Sequence, residues 1–548
     1  MHSSSPLLDV RNLTITFANG PNPTPVVSDV SWRLDAGRTL GIVGESGSGK
    51  SLTALALMHL LPEAAAISEK SQILLRGRDI KHLSEPEARN LRGGELAIVF
   101  QEPMACLHPM MRVGHQVLEA VRRHNNCSPA EARTRVISLL DEVGLPHPEI
   151  IYRRYPHELS GGQQQRVMIA MALAGNPAIL IADEPTTALD VTVQAQILKL
   201  LRHLQKQRGM AMVFISHDLA VVSSISDDVI VMRDGQLVES GSAAAVLSAP
   251  QSPYARMLVA ARSRLREPAL SSSSDHQRSE VCLEVSNLHA AYHGRGWFKS
   301  SVQAVDGVSF SLSRGRTLGL IGESGSGKST VAKAIVGLLK PTGGDVRMFA
   351  RSLAAEGWRL SEDLRRQCQI VLQNPYGALN PRLTIEQALR EPFSTLSLRP
   401  PEGVAARIAS GLNEVGLDEG LLRRFPHQLS GGQRQRVCIA RALMSEPTLL
   451  ICDEIVSALD VHVQFQVLQL LKNLQKSRRL SLLFIGHDLD VISFIADEIA
   501  VMHRGRIVEQ GPARAVISDP KHAYSQELIA SAPAFEAVGH AAAELVTC

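Results

Sequence analysis

GESGSGKS occupies residues 44–51, between an apolar run at 40–43 and a helical pattern that begins near Lys50. Its spacing is GxxxxGK[ST], carried by Gly44, Gly49, Lys50 and Ser51. Glycines at these positions let backbone N–H groups turn inward around phosphate oxygens. The helix that follows points its positive N-terminus at the same charge. In such a cradle Lys50 reaches the β- and γ-phosphates of a nucleotide and Ser51 ligates Mg²⁺. Ser46, Gly47, Ser48 and Leu52 complete the expected phosphate-facing turn. The same eight residues return at 322–329, so Gly322, Ser324, Gly325, Ser326, Gly327, Lys328 and Ser329, with Thr330 after them, form a second candidate cradle.

The repetition extends beyond this loop. LSGGQ stands at 159–163 and 429–433, ALDV at 188–191 and 458–461, and His-Asp at 217–218 and 487–488. These three pairs share one offset of 270, and the phosphate motif's offset of 278 exceeds it by eight residues. The chain therefore reads as two homologous halves. LEVSNL at 283–288 echoes LDVRNL at 8–13 and restarts the pattern. Before it lies a serine run, Ser271 to Ser274, flanked by Arg262, Arg264, Arg266 and Pro268. That composition buries little apolar surface and reads as a flexible linker. The expected layout is a first domain at 1–265, a linker at 266–279 and a second domain at 280–548.

Each half opens with short alternating strands and alternates apolar runs with helical patterns. This predicts an α/β fold with a mainly parallel sheet. Functional loops are then expected at the carboxyl ends of the strands, which is where the motifs fall.

Composition narrows the function. The chain has 548 residues, too many for one core, with 57 Lys+Arg against 54 Asp+Glu. A net charge of +3 provides no field that calls for nucleic acid. The seven cysteines, Cys106, Cys127, Cys282, Cys368, Cys438, Cys452 and Cys548, include no CxxC pair, so neither zinc nor a redox dithiol is indicated. The first ten residues lack a basic region followed by an apolar stretch, and no signal peptide is expected. No run of about 18 apolar residues exists to span a bilayer. Work at a membrane would need other subunits to supply the spanning helices.

Two apolar runs end in paired acids, Asp183–Glu184 and Asp453–Glu454. The aspartate of such a pair can hold Mg²⁺ and the glutamate can polarise an attacking water; alone, two acids could also cap a helix. His217 and His487 each follow an apolar strand. A lone histidine is commonly structural, but a matched pair beside phosphate loops favours contact with the γ-phosphate or the water. Gln101 and Gln373 follow the runs at 98–100 and 370–372, where their amides can ligate Mg²⁺ and touch the water.

Together these motifs resemble the ATP-binding cassette family over nearly the whole chain, LSGGQ being the most specific element. The resemblance implies two tandem P-loop NTPase domains, each with a RecA-like core, an antiparallel β subdomain and a helical subdomain. It implies that Ser430, Gly431, Gly432 and Gln433 complete the ATP site of Lys50, and that Ser160, Gly161, Gly162 and Gln163 complete that of Lys328, head to tail. Asp190 and Asp460 look like the loop that couples the two sites. Phe17 and Tyr292 take the place of the family's adenine-stacking aromatic. Ile455, where the first half has Pro185, is expected to alter the local turn.

The nearer resemblance is to the ATPases of dipeptide and oligopeptide importers. It rests on QEPMACLHP (101–109), QNPYGALNP (373–381), YPHELSGGQ, FPHQLSGGQ, SPYARML (252–258) and HAYSQEL (522–528). It implies two membrane permeases as partners, an extracytoplasmic solute-binding protein, and a place at the cytoplasmic face of the inner membrane. No iron–sulfur cluster is expected, because no cysteine lies in 128–281 or 453–547. A soluble tandem ATPase of translation or DNA repair is the alternative; the linker is too short and the cysteines too scattered for it. Nickel, glutathione and other small solutes are alternative cargoes within the importer class.

Overall fold

A computed structural model describes residues 5–17, 24–186, 189–266, 280–293, 301–457 and 459–531. Ala188, Ala458, Cys548 and the expected linker after Arg266 lie outside these residues. Two compact units divide the chain, one including residues 5–189 and 193–260, the other including 261–531.

In the first unit a six-stranded sheet runs in the order Gln236–Ser242, Asp228–Arg233, Thr39–Gly44, Ala211–Ser216, Ile179–Asp183, Leu96–Val99. All neighbours are parallel except the first pair. The inner strands are apolar except at their ends because the sheet is covered on both faces. Alternate residues supply the two sides. Met212 and Phe214 enter the core shared with the helices. Ala211, Val213 and Ile215 enter the core shared with a smaller antiparallel sheet. That second sheet runs Pro25–Leu34, Leu8–Phe17, Gln72–Leu75, Arg78–Asp79. The helical layer includes Val113–His124, Pro129–Glu142 and Gly161–Ala172.

The second unit repeats this plan. Its large sheet runs Cys368–Val371, Leu449–Asp453, Ser481–Gly486, Thr317–Ile321, Glu498–His503, Arg506–Pro512. Its antiparallel sheet joins Ser301–Ser313, Val281–His293, Gly343–Met348 and Arg351–Ser352. Phe484, like Phe214, is fully buried in a central strand.

The strands begin or end a residue or two away from the apolar runs that predicted them. Asp183 and Asp453 are the last residues of their strands rather than the first of the loops. Each still pairs with the neighbouring strand, opposite Ile215 and Ile485, which fixes the height of its carboxylate. Among the described residues no helix is long and apolar enough to cross a membrane.

Candidate functional site

In the first unit the strand Thr39–Gly44 is buried throughout and delivers the loop at its carboxyl end. Helix Lys50–Leu57 starts immediately after Gly49, whose φ of 94° puts it in the left-handed region. Gly327 repeats this at 105° before helix Lys328–Ile335. The lysines fold back over their own loops. Lys50 Nζ donates to the carbonyls of Gly44 and Glu45, both at 2.8 Å. Lys328 Nζ donates to those of Gly322 (2.7 Å) and Glu323 (2.8 Å). Burial holds the Lys328 ammonium below its ordinary pKa. Ser48 Oγ is buried in the loop with no hydrogen-bond partner among the described residues, which suits an incoming phosphate oxygen. Leu52 is half-buried, with its side chain packed against the core beside the loop.

The oxygen donors expected around a divalent cation meet in each unit. Ser51 Oγ donates to Asp183 Oδ1 at 3.1 Å, and Ser329 Oγ to Asp453 Oδ1 at 2.9 Å. Burial raises the pKa of both aspartates, partly offset by the serine bonds. A buried carboxylate paired with a more accessible hydroxyl is hard-oxygen chemistry open to an incoming ion, and it fits Mg²⁺.

Beside it runs a chain of three side chains. Gln101 Nε2 donates to Glu184 Oε2 at 2.9 Å, and His217 Nδ1 lies 3.3 Å from that same oxygen. In the second unit Gln373 Nε2 is 2.8 Å from Glu454 Oε2 and His487 Nδ1 is 3.5 Å from it. Burial alone would depress both imidazoles, but the bonded glutamates lift them above their ordinary value. Burial pushes the Glu454 carboxyl up, while the bond from His487 and the nearby Lys328 charge bring it below the usual range. The six catalytic candidates thus form two Gln–Glu–His chains.

Both glutamates adopt left-handed backbone, with φ of 48° at Glu184 and 49° at Glu454. Each N–H is held by the neighbouring strand, Glu184 by Ile215 O and Glu454 by Ile485 O, both at 3.0 Å. Such a conformation costs a non-glycine residue on the order of 1 kcal/mol and persists only where surroundings enforce it. The glutamate ahead of Ile455 has the same φ as the one ahead of Pro185, 49° against 48°, and the strand-end hydrogen bond is common to both.

The LSGGQ segments open helices Gly161–Ala172 and Gly431–Leu443. Ser160 Oγ accepts from Gln163 N–H (3.4 Å), while Gln163 Oε1 accepts from Ser160 N–H (3.1 Å). Ser430 and Gln433 do the same at 3.3 and 3.0 Å. This is a capping box, readable as S-x-x-Q but not anticipated. It engages the serine and glutamine side chains locally and leaves first-turn N–H groups, those of the glycines, at the positive end of the helix. Gly162 and Gly432 also pack tightly, since a Cβ there would meet Val193 or Val463 at 2.5 or 2.4 Å.

A cavity of about 250 Å³ in the second unit is lined by Tyr292, Ser324, Lys328, Ser329, Gln373 and Glu454, among others. Tyr292 Oη lies 3.4 Å from Thr330 Oγ1. Phe17 stands half-buried at the end of its strand in the first unit. Ser51, Gln101, Asp183, Glu184 and His217, and their counterparts in the second unit, thus gather beside the carboxyl ends of the parallel strands, while the LSGGQ segments stand at the starts of their helices.

The family model described as "ABC transporter" matches residues 27–187 and 305–457. A second, "Oligopeptide/dipeptide transporter, C-terminal region", matches 238–295 and 508–545. The chain is 44% identical over 560 residues to the "Glutathione import ATP-binding protein GsiA" of Escherichia coli K12 and to that of Shigella dysenteriae serotype 1, covering 97% of this chain and 90% of each relative. A solved "Dimeric structure of a post-hydrolysis state of the ATP-binding cassette MJ0796 bound to ADP and Pi" aligns with 43% of this chain and 98% of its own, at 28% identity and a TM-score of 0.39. With two complete motif sets and two matches to one family model, the chain belongs to the ABC transporter family, as an ATPase with two cassettes in tandem.

Proposed function

We propose that this ATPase is the motor of an importer for short peptides, dipeptides and oligopeptides, with glutathione as the first specific cargo to test. The observation that carries the reading is the pair of oligopeptide/dipeptide C-terminal regions, one after each cassette. Glutathione is itself a tripeptide, and relatives covering nearly the whole chain are named for its import. Two permeases supply the membrane path, a solute-binding protein outside delivers the cargo, and the motor sits peripherally at the cytoplasmic face. The cassettes span 1–265 and 280–548, joined by the linker at 266–279.

In the proposed cycle each phosphate loop exchanges its lysine's carbonyl contacts for the β- and γ-phosphates. Ser51, Asp183 and Gln101, and their counterparts Ser329, Asp453 and Gln373, would hold Mg²⁺, which when bound neutralises charge on the phosphates. Glu184 and Glu454 draw a proton from the attacking water. His217 and His487 orient those carboxylates and contact the γ-phosphate. Replacing Gln101 and Gln373 together by alanine removes one donor from each glutamate and should slow turnover about tenfold, by the ~1.5 kcal/mol of a charge-assisted hydrogen bond. A steady-state assay checks this; unchanged turnover would remove the glutamines from the mechanism.

By the family resemblance, each ATP would be closed head to tail by the LSGGQ of the other half. Ser430→Arg should then impair closure at the Lys50 site, which nucleotide trapping resolves half by half. Loss confined to the Lys328 site would mean that the cassettes act separately.

Co-purification tests the importer reading. Tagged chain extracted from membranes should bring two polytopic subunits, and the partner binding protein should bind glutathione or a dipeptide in calorimetry. Co-sedimentation with ribosomes and no membrane partner would favour the soluble alternative.

A further inference from the structure

The C-terminal regions matched at 238–295 and 508–545 are built alike around one tyrosine each. In the first, Glu239 on strand Gln236–Ser242 accepts the N–H groups of Gln251 and Ser252, both at 2.8 Å. These bonds fix the chain just before helix Pro253–Leu265, whose first turn carries Tyr254. In the second, Glu509 accepts from Lys521 (2.8 Å) and His522 (3.1 Å), just before helix Ala523–Ala530 and Tyr524. The two helices begin SPYARML and HAYSQEL and share little besides the tyrosine and the leucine four residues later.

Both rings are buried, and both hydroxyls end on the same atom of the phosphate loop. Glu45 N–H donates to Tyr254 Oη at 3.1 Å, and Glu323 N–H donates to Tyr524 Oη at 3.0 Å. These bonds span 209 and 201 residues of sequence. Each ring is held from a second side. The Arg233 guanidinium lies 5.0 Å from the Tyr254 centroid, and the His503 ring lies 3.9 Å from that of Tyr524. Burial pushes the Tyr524 hydroxyl up to about 12, so it keeps its proton.

The residue each tyrosine grips is the one whose carbonyl the loop lysine holds, Glu45 O for Lys50 and Glu323 O for Lys328. When the lysine turns to phosphate it leaves that carbonyl. The tyrosine bond does not involve the lysine, so it keeps the first turn of the loop in place during the exchange.

We propose that Tyr254 and Tyr524 are positioning residues for ATP, struts by which each C-terminal region holds its phosphate loop in the binding shape. The inference rests on these loops binding ATP, as read above. It assigns to the C-terminal region a part in nucleotide affinity, distinct from any part in partner docking.

The test is the full chain carrying Tyr254→Phe and Tyr524→Phe, which keeps both rings and removes both hydroxyls. Titration with a fluorescent ATP analogue and steady-state kinetics are compared with the unmodified chain. A half-buried N–H that loses its acceptor should weaken nucleotide binding about five- to tenfold. KM for ATP rises by the same factor, kcat falls by less than about twofold, and the unfolding midpoint stays within about 2 °C. A general packing role predicts the reverse: a lower midpoint with KM unchanged. Affinity within about twofold of the unmodified chain, or a loss explained by unfolding, would overturn the inference. Failure of the ATP-site reading is distinguishable, because the unmodified chain would then not bind the analogue at all.

Discussion

Glu184→Gln combined with Glu454→Gln should bind ATP about as tightly as the unmodified chain and hydrolyse it at least about 10²-fold more slowly, the usual scale for losing a general base. Glutamine keeps the side-chain length, and its amide can still meet the neighbouring glutamine and histidine. What disappears is the carboxylate that His217 or His487 orients at 3.3 or 3.5 Å. The left-handed backbone at both positions aims that carboxylate from the strand end and is unaffected by the change. ATP should therefore accumulate in a closed state, visible as retained nucleotide after gel filtration. Turnover within a few-fold of normal would remove both residues from the chemistry.

Gly49→Ala combined with Gly327→Ala should cost at least tenfold in ATP affinity while leaving both units folded. At φ of 94° and 105° an L-residue is strained whatever space surrounds it. Space is also missing. A Cβ on Gly327 would lie 2.3 Å from Ala304 O, a backbone atom of a β-strand that cannot step aside. On Gly49 it would meet Val27 Cγ2 at 2.8 Å. The loop has to open to relieve this, which displaces the N–H groups that face phosphate. A shift of about 1.4 kcal/mol, within the strain expected of one such residue, already accounts for tenfold. Circular dichroism should stay unchanged while the titration of a fluorescent ATP analogue moves to higher concentration. Affinity preserved within threefold would show that the loop tolerates the methyl group and that the glycines are not needed for shape.

Much of this architecture was legible in the amino-acid order because its signals are local. Uninterrupted apolar runs such as AMVFI mark strands buried on both faces, and GESGSGKS marks the turn between strand and helix. The doubled motifs mark two similar units. Strand limits shifted by a residue or two because pairing with a neighbour, not hydrophobicity, decides where a strand ends; Asp183 and Asp453 are polar and still strand.

What stayed hidden depends on distant or subtle partners. Nothing local marks Glu184 or Glu454 as left-handed, since the constraint is a hydrogen bond to a strand 31 residues further on. The back-folded lysines answer to their own loop carbonyls, a contact that the motif's fit to phosphate obscures. The capping box in LSGGQ is written in the order as S-x-x-Q, in the same residues that the family resemblance assigns to nucleotide. The tyrosine struts bridge about two hundred residues and leave no periodic trace.

The central claim is that ATP hydrolysis by these two cassettes drives a solute inward across a membrane. Reconstitution of the chain with the two proposed permeases and the proposed binding protein in sealed vesicles, ATP supplied on the motor side, measures this directly with labelled glutathione or a labelled dipeptide. The account predicts ATP-dependent accumulation of label on the motor side, accompanied by cargo-stimulated ATP hydrolysis, both abolished by Glu184→Gln with Glu454→Gln. Accumulation that persists in that variant, or hydrolysis that no peptide stimulates and no transport accompanies, would contradict it.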